Sequence, residues 1–99
     1  MPATLDQYID ITPGVRGGKP RIADTRISVS DIALMHLRLG HSLEQIAARY
    51  DLPLAAVYTA MAYYHENRQE IEKRMEEDEA FAQALRRNNP SLLQARSDL

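Results

Sequence analysis

The sequence predicts a mainly α-helical fold in which a three-helix unit contains a helix-turn-helix, preceded by a short β-hairpin and followed by a long helix. Two apolar-periodic runs flank Asp51–Pro53, as in two helices joined by a tight turn. A β-favouring segment rich in glycine and proline precedes them, and no helix breaker occurs between His65 and Arg87. The 99 residues, 44% of them hydrophobic, suit one small domain with a modest core.

The N-terminal segment is predicted to form short strands. A β-favouring run from Tyr8 to Thr12 is stopped by Pro13–Gly14. The pieces Arg21–Ile22 and Arg26–Val29 flank a turn, and alternation along the second piece puts Arg26 and Ser28 opposite the buried side chains. Because strands this short are marginal alone, they must lie on the helices or pair with another chain, and the second option favours a dimer.

The first helix is predicted to begin after Ser30 or Asp31 as cap and to end at Gly40. His36 lies near its apolar face. A zinc site normally needs three or four clustered ligands, and His41 and His65 stand in different elements, so we interpret His36 as structural.

The predicted helix-turn-helix spans residues 42–64. Ser42 is a suitable N-cap, Asp51 tolerates the left-handed conformation that ends a helix, and Pro53 fits the first turn of the next helix. The positions predicted to be buried between the two helices are Ile46, Ala47, Tyr50, Leu52, Val57 and Ala60, and the apolar face of the second helix also includes Leu54, Met61 and Tyr64. In this register the groove-facing positions would be Pro53, Leu54, Ala55, Tyr58 and Thr59, of which only Tyr58 and Thr59 can hydrogen-bond a base edge.

The C-terminal helix carries a narrow apolar stripe on a charged background. Ile71 and Met75 form one part of the stripe, and Phe81 and Leu85 form another. Such a stripe is typical of a helix that binds a partner helix or groove, although a solvated helix is an alternative. The tail from Pro90 onwards is predicted to be disordered alone and to fold on binding. We therefore divide the chain into a domain over residues 1–67 and a partner-binding segment over residues 68–99.

Charge is distributed unevenly although the formal net charge is only −2. Residues 14–29 hold Arg16, Lys19, Arg21 and Arg26 against Asp24 alone, a local charge of +3. These side chains, with Arg49, are candidates for contacts with DNA phosphates. An alternative for Lys19 and Arg26 is that they tie the hairpin to the helices.

Several classes of function are not favoured by the sequence. Cysteine is absent, and no signal peptide or membrane-spanning run occurs, so we expect a cytoplasmic protein. The stretch Gly14–Lys19 differs from a phosphate-binding loop, because Pro13 and Pro20 stand where the first glycine and the magnesium-binding Ser/Thr belong. No catalytic set or metal spacing appears, so the chain is predicted not to be an enzyme and to need no cofactor.

The run Ile11–Val29 resembles the signature of a bacterial family known as domain of unknown function 433 (DUF433). The matching residues occur in order and are Gly17, Gly18, Lys19, Pro20, Ile22, Thr25, Arg26, Ile27, Val29 and Gly40. Asp24 replaces the usual glycine of the turn, which requires a positive φ at Asp24. The stretch Ser42–Tyr64 resembles the family's second block, so the resemblance covers about residues 8–66.

The resemblance implies a homeodomain-like or winged helical fold and, commonly, the antitoxin of a VapBC-like toxin–antitoxin pair. The toxin of such a pair is a PIN-like ribonuclease. We therefore predict a type II antitoxin that neutralises this toxin and, as a homodimer or higher even oligomer, binds operator DNA to repress its own operon. The alternatives are a non-catalytic protein-interaction module and a stand-alone transcriptional regulator without a toxin.

Overall fold

The structure, a computed structural model, describes residues 5–88 and confirms the predicted fold class. It is mainly helical, with four helices and a short antiparallel hairpin before them. The strands are β1 (Ile9–Asp10) and β2 (Arg21–Ile22), with 3₁₀ turns at Leu5–Tyr8 and Arg16–Gly18. The helices are α1 (Val29–Ala33, continued by a π-helical segment Leu34–Arg38), α2 (Leu43–Tyr50), α3 (Leu54–Glu66) and α4 (Arg68–Asn88).

The chain divides into two compact units, Met1–Arg68 and Gln69–Leu99. The first contains the hairpin and α1 to α3, and the second contains nearly all of α4. The predicted disordered tail from Pro90 lies outside the described residues. No helix in residues 5–88 combines the length and the apolar character needed to cross a membrane.

The strands pair differently from the prediction. Strand β1 pairs antiparallel with β2, with Ile9 opposite Ile22 and Asp10 opposite Arg21. The predicted pairing of Arg21–Ile22 with residues 26–29 is reduced to one isolated bridge between Arg21 and Ser28, because the chain turns into α1 at that point. The strands contact α3 and therefore lie on the helical unit. This was one of the two arrangements predicted for such short strands, the other being pairing with a second chain.

Helix α1 begins two or three residues earlier than predicted. Ser28, and not Ser30 or Asp31, is its N-cap. The Asp31 amide donates to Ser28 Oγ at 3.0 Å, and the Ser28 amide donates to an Asp31 carboxylate oxygen at 3.0 Å, which forms a capping box. Ser28 is therefore fully buried, contrary to its predicted place on the exposed side with Arg26. Gly40 follows the helix with φ of +77°, as a glycine at a helix end should.

Helices α2 and α3 have the predicted order and spacing. Ser42 caps α2 through a capping box with Gln45, and Asp51 ends α2 in the left-handed conformation, with φ of 53°. Pro53 is the N-cap of α3, one residue ahead of its predicted place in the first turn.

Helix α3 forms the centre of the first unit, where it contacts α1, α2 and both strands. The buried apolar residues of this unit are Ile22, Val29, Ile32, Ala33, Leu43, Ile46, Ala47, Ala56, Val57, Ala60, Met61 and Tyr64. Two positions predicted to be buried between the helices are not: Tyr50 is 40% exposed at the end of α2, and Leu52 is half-buried in the turn. Leu54, on the predicted apolar face of α3, is 45% exposed at the start of that helix.

Candidate interaction surfaces

Arg21 fixes the hairpin instead of facing solvent. Its side chain is 11% exposed, and its guanidinium donates to the Thr25 carbonyl and to Thr12 Oγ1, both at 2.9 Å. A carboxylate oxygen of Asp10 lies 4.0 Å away. The buried Nε of Arg21 has no hydrogen-bond partner in the structure. These contacts hold the guanidinium away from a DNA backbone, so its predicted phosphate contact is replaced by a structural role.

Arg16 also makes contacts within the chain. Its guanidinium donates to the Arg26 carbonyl at 2.9 Å and lies 3.4 Å from an Asp31 carboxylate oxygen. It thereby joins the loop after β1 to the start of α1, while its side chain remains 35% exposed. Arg16 and Arg21 thus make contacts of the tying kind that was considered for Lys19 and Arg26.

Two of the remaining predicted phosphate contacts, Arg26 and Arg49, are more accessible. The side chains of Arg26 and Arg49 are exposed, and Lys19 is half-buried. The Arg49 guanidinium carbon lies 5.7 Å from the centroid of the Tyr50 ring, within the range of a cation–π contact. Arg26 and Arg49 are thus the two cations of the predicted set that the structure presents most openly.

The outward face of α3 has little capacity to read bases. Thr59 is buried (8% exposed), and its hydroxyl donates to the Ala55 carbonyl at 2.6 Å, so the prediction that it contacts a base edge is corrected. Tyr58 is 49% exposed and its hydroxyl donates to a Glu44 carboxylate oxygen at 3.1 Å. This hydrogen bond, and then the negative charge of Glu44, raise the pKa of Tyr58 above its usual 10.0. Beside Tyr58, the exposed positions at the start of α3 are the apolar Leu54 and Ala55.

An apolar groove lies between α1 and the end of α2. It has a volume of about 240 Å³ and is lined by Ile27, Asp31, Leu34, Met35 and Tyr50; we call it the α1–α2 groove. Leu34 and Tyr50 are 37% and 40% exposed. The sequence reasoning missed this groove because it assigned Tyr50 to the core. The number of apolar residues in α1 could have indicated the groove, because one buried face of a helix cannot accommodate all of them.

The predicted partner-binding residues of α4 differ in exposure. Ile71 is buried (8% exposed) and Met75 is half-buried, whereas Phe81 and Leu85 are 70% and 50% exposed. Phe81 and Leu85 are four residues apart and share one face of the helix. The exposed part of the predicted stripe is therefore its C-terminal half.

His36 has the structural role predicted for it. Its Nδ1 is hydrogen-bonded to the His41 carbonyl oxygen at 2.8 Å, across the turn that follows the π-helical segment. Within residues 5–88, no three His, Asp or Glu side chains are grouped as a metal site would require.

Comparison with known proteins identifies the family. The family model described as "Protein of unknown function (DUF433)" matches residues 9–64. A crystal structure of a DUF433 member protein from Anabaena variabilis ATCC 29413 is similar to this chain, with a TM-score of 0.59 and 36% identity over 71% of this chain and 69% of that one. No curated protein matches the chain. The matched residues include both strands, α1, α2 and nearly all of α3, and on this evidence the chain belongs to the DUF433 family of proteins of unknown function.

Proposed function

We propose that this protein is a cytoplasmic, non-catalytic antitoxin that binds a PIN-like ribonuclease toxin through the exposed apolar face of α4. The observation that carries the proposal is the exposure of Phe81 (70%) and Leu85 (50%) on one face of a 21-residue helix. The resemblance noted in the sequence supports the class of partner. Helix α4 lies beyond the residues that the family model matches, so its partner is proposed from its own surface.

The physical argument is the free energy of burying this face. Large apolar side chains such as Phe81 and Leu85 each gain about 1.5–3 kcal/mol when they are fully removed from water. An amphipathic helix that lays such anchors into a groove is a recurring mode of recognition, and a few aromatic or aliphatic anchors commonly supply most of the affinity. Glu77 lies four residues before Phe81 on the same face of α4, and its carboxylate would favour a toxin surface with positive charge.

Operator binding is the second part of the proposal. Arg26 and Arg49 supply exposed positive charge for phosphates, with support from Arg16 and Lys19. Two copies in a dimer would present two such surfaces to a palindromic operator. Because Thr59 is buried, Tyr58 would be the only polar reader of the predicted set, and affinity would come mostly from the backbone.

One observation favours a different function, a protein-interaction module in which the helix-turn-helix is only architecture. The start of α3 exposes Leu54 and Ala55, which is typical of a surface that contacts another protein and not of one that reads DNA. In this alternative the chain binds only proteins, either the toxin or another partner, and does not bind operator DNA.

The toxin part is tested by co-expressing the chain with a neighbouring PIN-like reading frame. We expect the pair to co-purify and the toxin's ribonuclease activity to be suppressed. The double variant Phe81→Ser, Leu85→Ser should weaken both effects at least tenfold, whereas Leu39→Ser, which removes another exposed leucine (61%), should not. Equal suppression by both variants would show that α4 is not the binding element.

The DNA part is tested by gel shift with the region upstream of the gene. The double variant Arg26→Ala, Arg49→Ala should weaken binding and reduce the slope of log K against log salt by about 1 for each phosphate that is no longer neutralised. Arg38→Ala, at another exposed arginine, is the matched control. No shift with the wild-type chain would favour the interaction module. A shift by a chain that binds no toxin in the co-expression test would favour a stand-alone regulator.

A further inference from the structure

The α1–α2 groove is a surface that the proposed function does not use. Leu34, Met35 and Tyr50 form its apolar lining around a volume of about 240 Å³. Leu34 and Tyr50 keep more than a third of their surface exposed although they lie at the edge of a well-packed core. A groove with this lining gains free energy when an apolar side chain fills it.

The charges around the groove define the chemistry of its occupant. Arg16 lies 3.4 Å from Asp31, which neutralises the carboxylate on the groove wall. Arg26 precedes the lining residue Ile27 in the chain and is exposed, and the Arg49 guanidinium lies over the ring of Tyr50. The flanking positive charge favours a segment that carries an apolar anchor together with carboxylates.

Helix α4 carries a segment with this chemistry. Residues 76–79 are four consecutive acidic residues, and Phe81 and Leu85 follow them. No Lys or Arg occurs in residues 76–85, so this stretch has a charge of −4. Phe81 is the most exposed of the large apolar residues that the structure describes. Its ring is an anchor of suitable size, and the acidic residues lie within one or two helical turns of it.

We propose that the α1–α2 groove of one chain binds the acidic, Phe81-bearing part of α4 from a second copy of the same chain. Phe81 enters the groove beside Leu34 and Tyr50, while Glu77, four residues before Phe81 on the same face of α4, approaches Arg26 and Arg49. The charge argues against the alternative in which two grooves face each other, because that would bring the arginines of both copies together. The interface is therefore formed by two unlike surfaces and can be made twice in a reciprocal dimer.

This inference goes beyond the proposed function and does not depend on it, since it concerns the isolated chain. The two are nevertheless linked, because the same face of α4 is proposed to bind the toxin and because Arg26 and Arg49 are also proposed to contact operator phosphates. Toxin binding would compete with the contact between the two copies, and a dimer of the free chain would open as toxin is added.

The first experiment is analytical ultracentrifugation of the full chain over a range of concentrations. We expect a reversible dimer whose dissociation constant rises at least tenfold in Phe81→Ser and in Arg49→Glu. Leu39→Ser is the matched control, since it removes a large apolar residue of comparable exposure (61%, against 70% for Phe81) that does not line the groove. Added salt should also weaken the dimer, because charge pairs contribute to it. A monomer at all concentrations, or a dimer unaffected by Phe81→Ser and Arg49→Glu, would overturn the inference.

The second experiment uses the absence of cysteine in the chain. A mixture of Leu34→Cys chains and Phe81→Cys chains should form a disulfide-linked heterodimer under mild oxidation, because a disulfide requires Cα atoms within about 7 Å of each other. A mixture of Leu54→Cys and Phe81→Cys chains is the control and should remain unlinked. A chain carrying both Leu34→Cys and Phe81→Cys should give linked dimers. If it instead closes a disulfide within a single chain, the occupant is the chain's own helix and the inference is wrong.

Discussion

Replacement of Arg21 by alanine tests the structural role that the fold gives to this residue. The change removes two hydrogen bonds from a charged donor, to the Thr25 carbonyl and to Thr12 Oγ1, both 2.9 Å long. Such bonds contribute about 1.5–3 kcal/mol each, and the lower value applies here because the bond to Thr12 is exposed. The change also relieves the unpaired, buried Nε, whose burial costs about 1 kcal/mol. We therefore expect Arg21→Ala to lower the free energy of unfolding by about 2 kcal/mol.

The assay is thermal and urea unfolding of the full chain. For a domain of this size 1 kcal/mol corresponds to about 4–8 °C in Tm, so Arg21→Ala should lower the Tm by roughly 8–16 °C. Arg26→Ala is the matched control, and because the Arg26 side chain is exposed its effect should stay within about 0.5 kcal/mol. If Arg21→Ala melts like the wild type, or if both variants are destabilised equally, the reasoning about the hairpin is refuted.

Three further predictions concern single contacts. Ser28→Ala removes the buried N-cap of α1 and should lower the free energy of unfolding, measured in urea, by about 1–2 kcal/mol. Ser42→Ala removes a more exposed N-cap, and a loss for Ser42→Ala that equals or exceeds that for Ser28→Ala would contradict the role of burial. Asp24→Gly relieves a φ of 63° and should stabilise the chain by about 0.5–1 kcal/mol, whereas a lower Tm would show that the aspartate itself is needed. Glu44→Gln should return the pKa of Tyr58 toward 10.0, as followed by NMR titration of the ring. Since folding raises the pKa of Tyr58, the stabilisation from its hydrogen bond is present below pH 10 and is lost as the pH rises through the pKa of Tyr58 in the folded protein. A stability that does not change with pH in that range would argue against a stabilising hydrogen bond.

Local sequence signals are sufficient for the helical part of the fold. Ser42, Asp51 and Gly40 act through their own side chain or backbone conformation, so the C-terminal end of α1 and both ends of α2 can be predicted without knowing any distant contact. The same holds for Asp24, whose positive φ is required by the turn. Periodic apolar residues such as Ile46, Val57 and Ala60 indicate the buried faces for the same reason.

The pairing of strands and the roles of charged residues are less predictable. The nearest β-favouring piece to Arg21–Ile22 in sequence is Arg26–Val29, yet its partner is Ile9–Asp10, which a loop of ten residues brings alongside. The strand prediction for Ser28 is wrong because alternation cannot distinguish a strand residue from an N-cap, which also has extended backbone.

The sequence by itself determined the family, the helices and most of their ends, because these depend on motifs, caps and periodicity that act over a few residues. Only the tertiary structure decided that Arg16 and Arg21 hold the hairpin, that Thr59 is buried, and that Leu34 and Tyr50 border a groove. Each of these outcomes depends on which distant groups lie within hydrogen-bond or van der Waals reach. That proximity is set by how the elements pack, and the order of residues along the chain does not specify it.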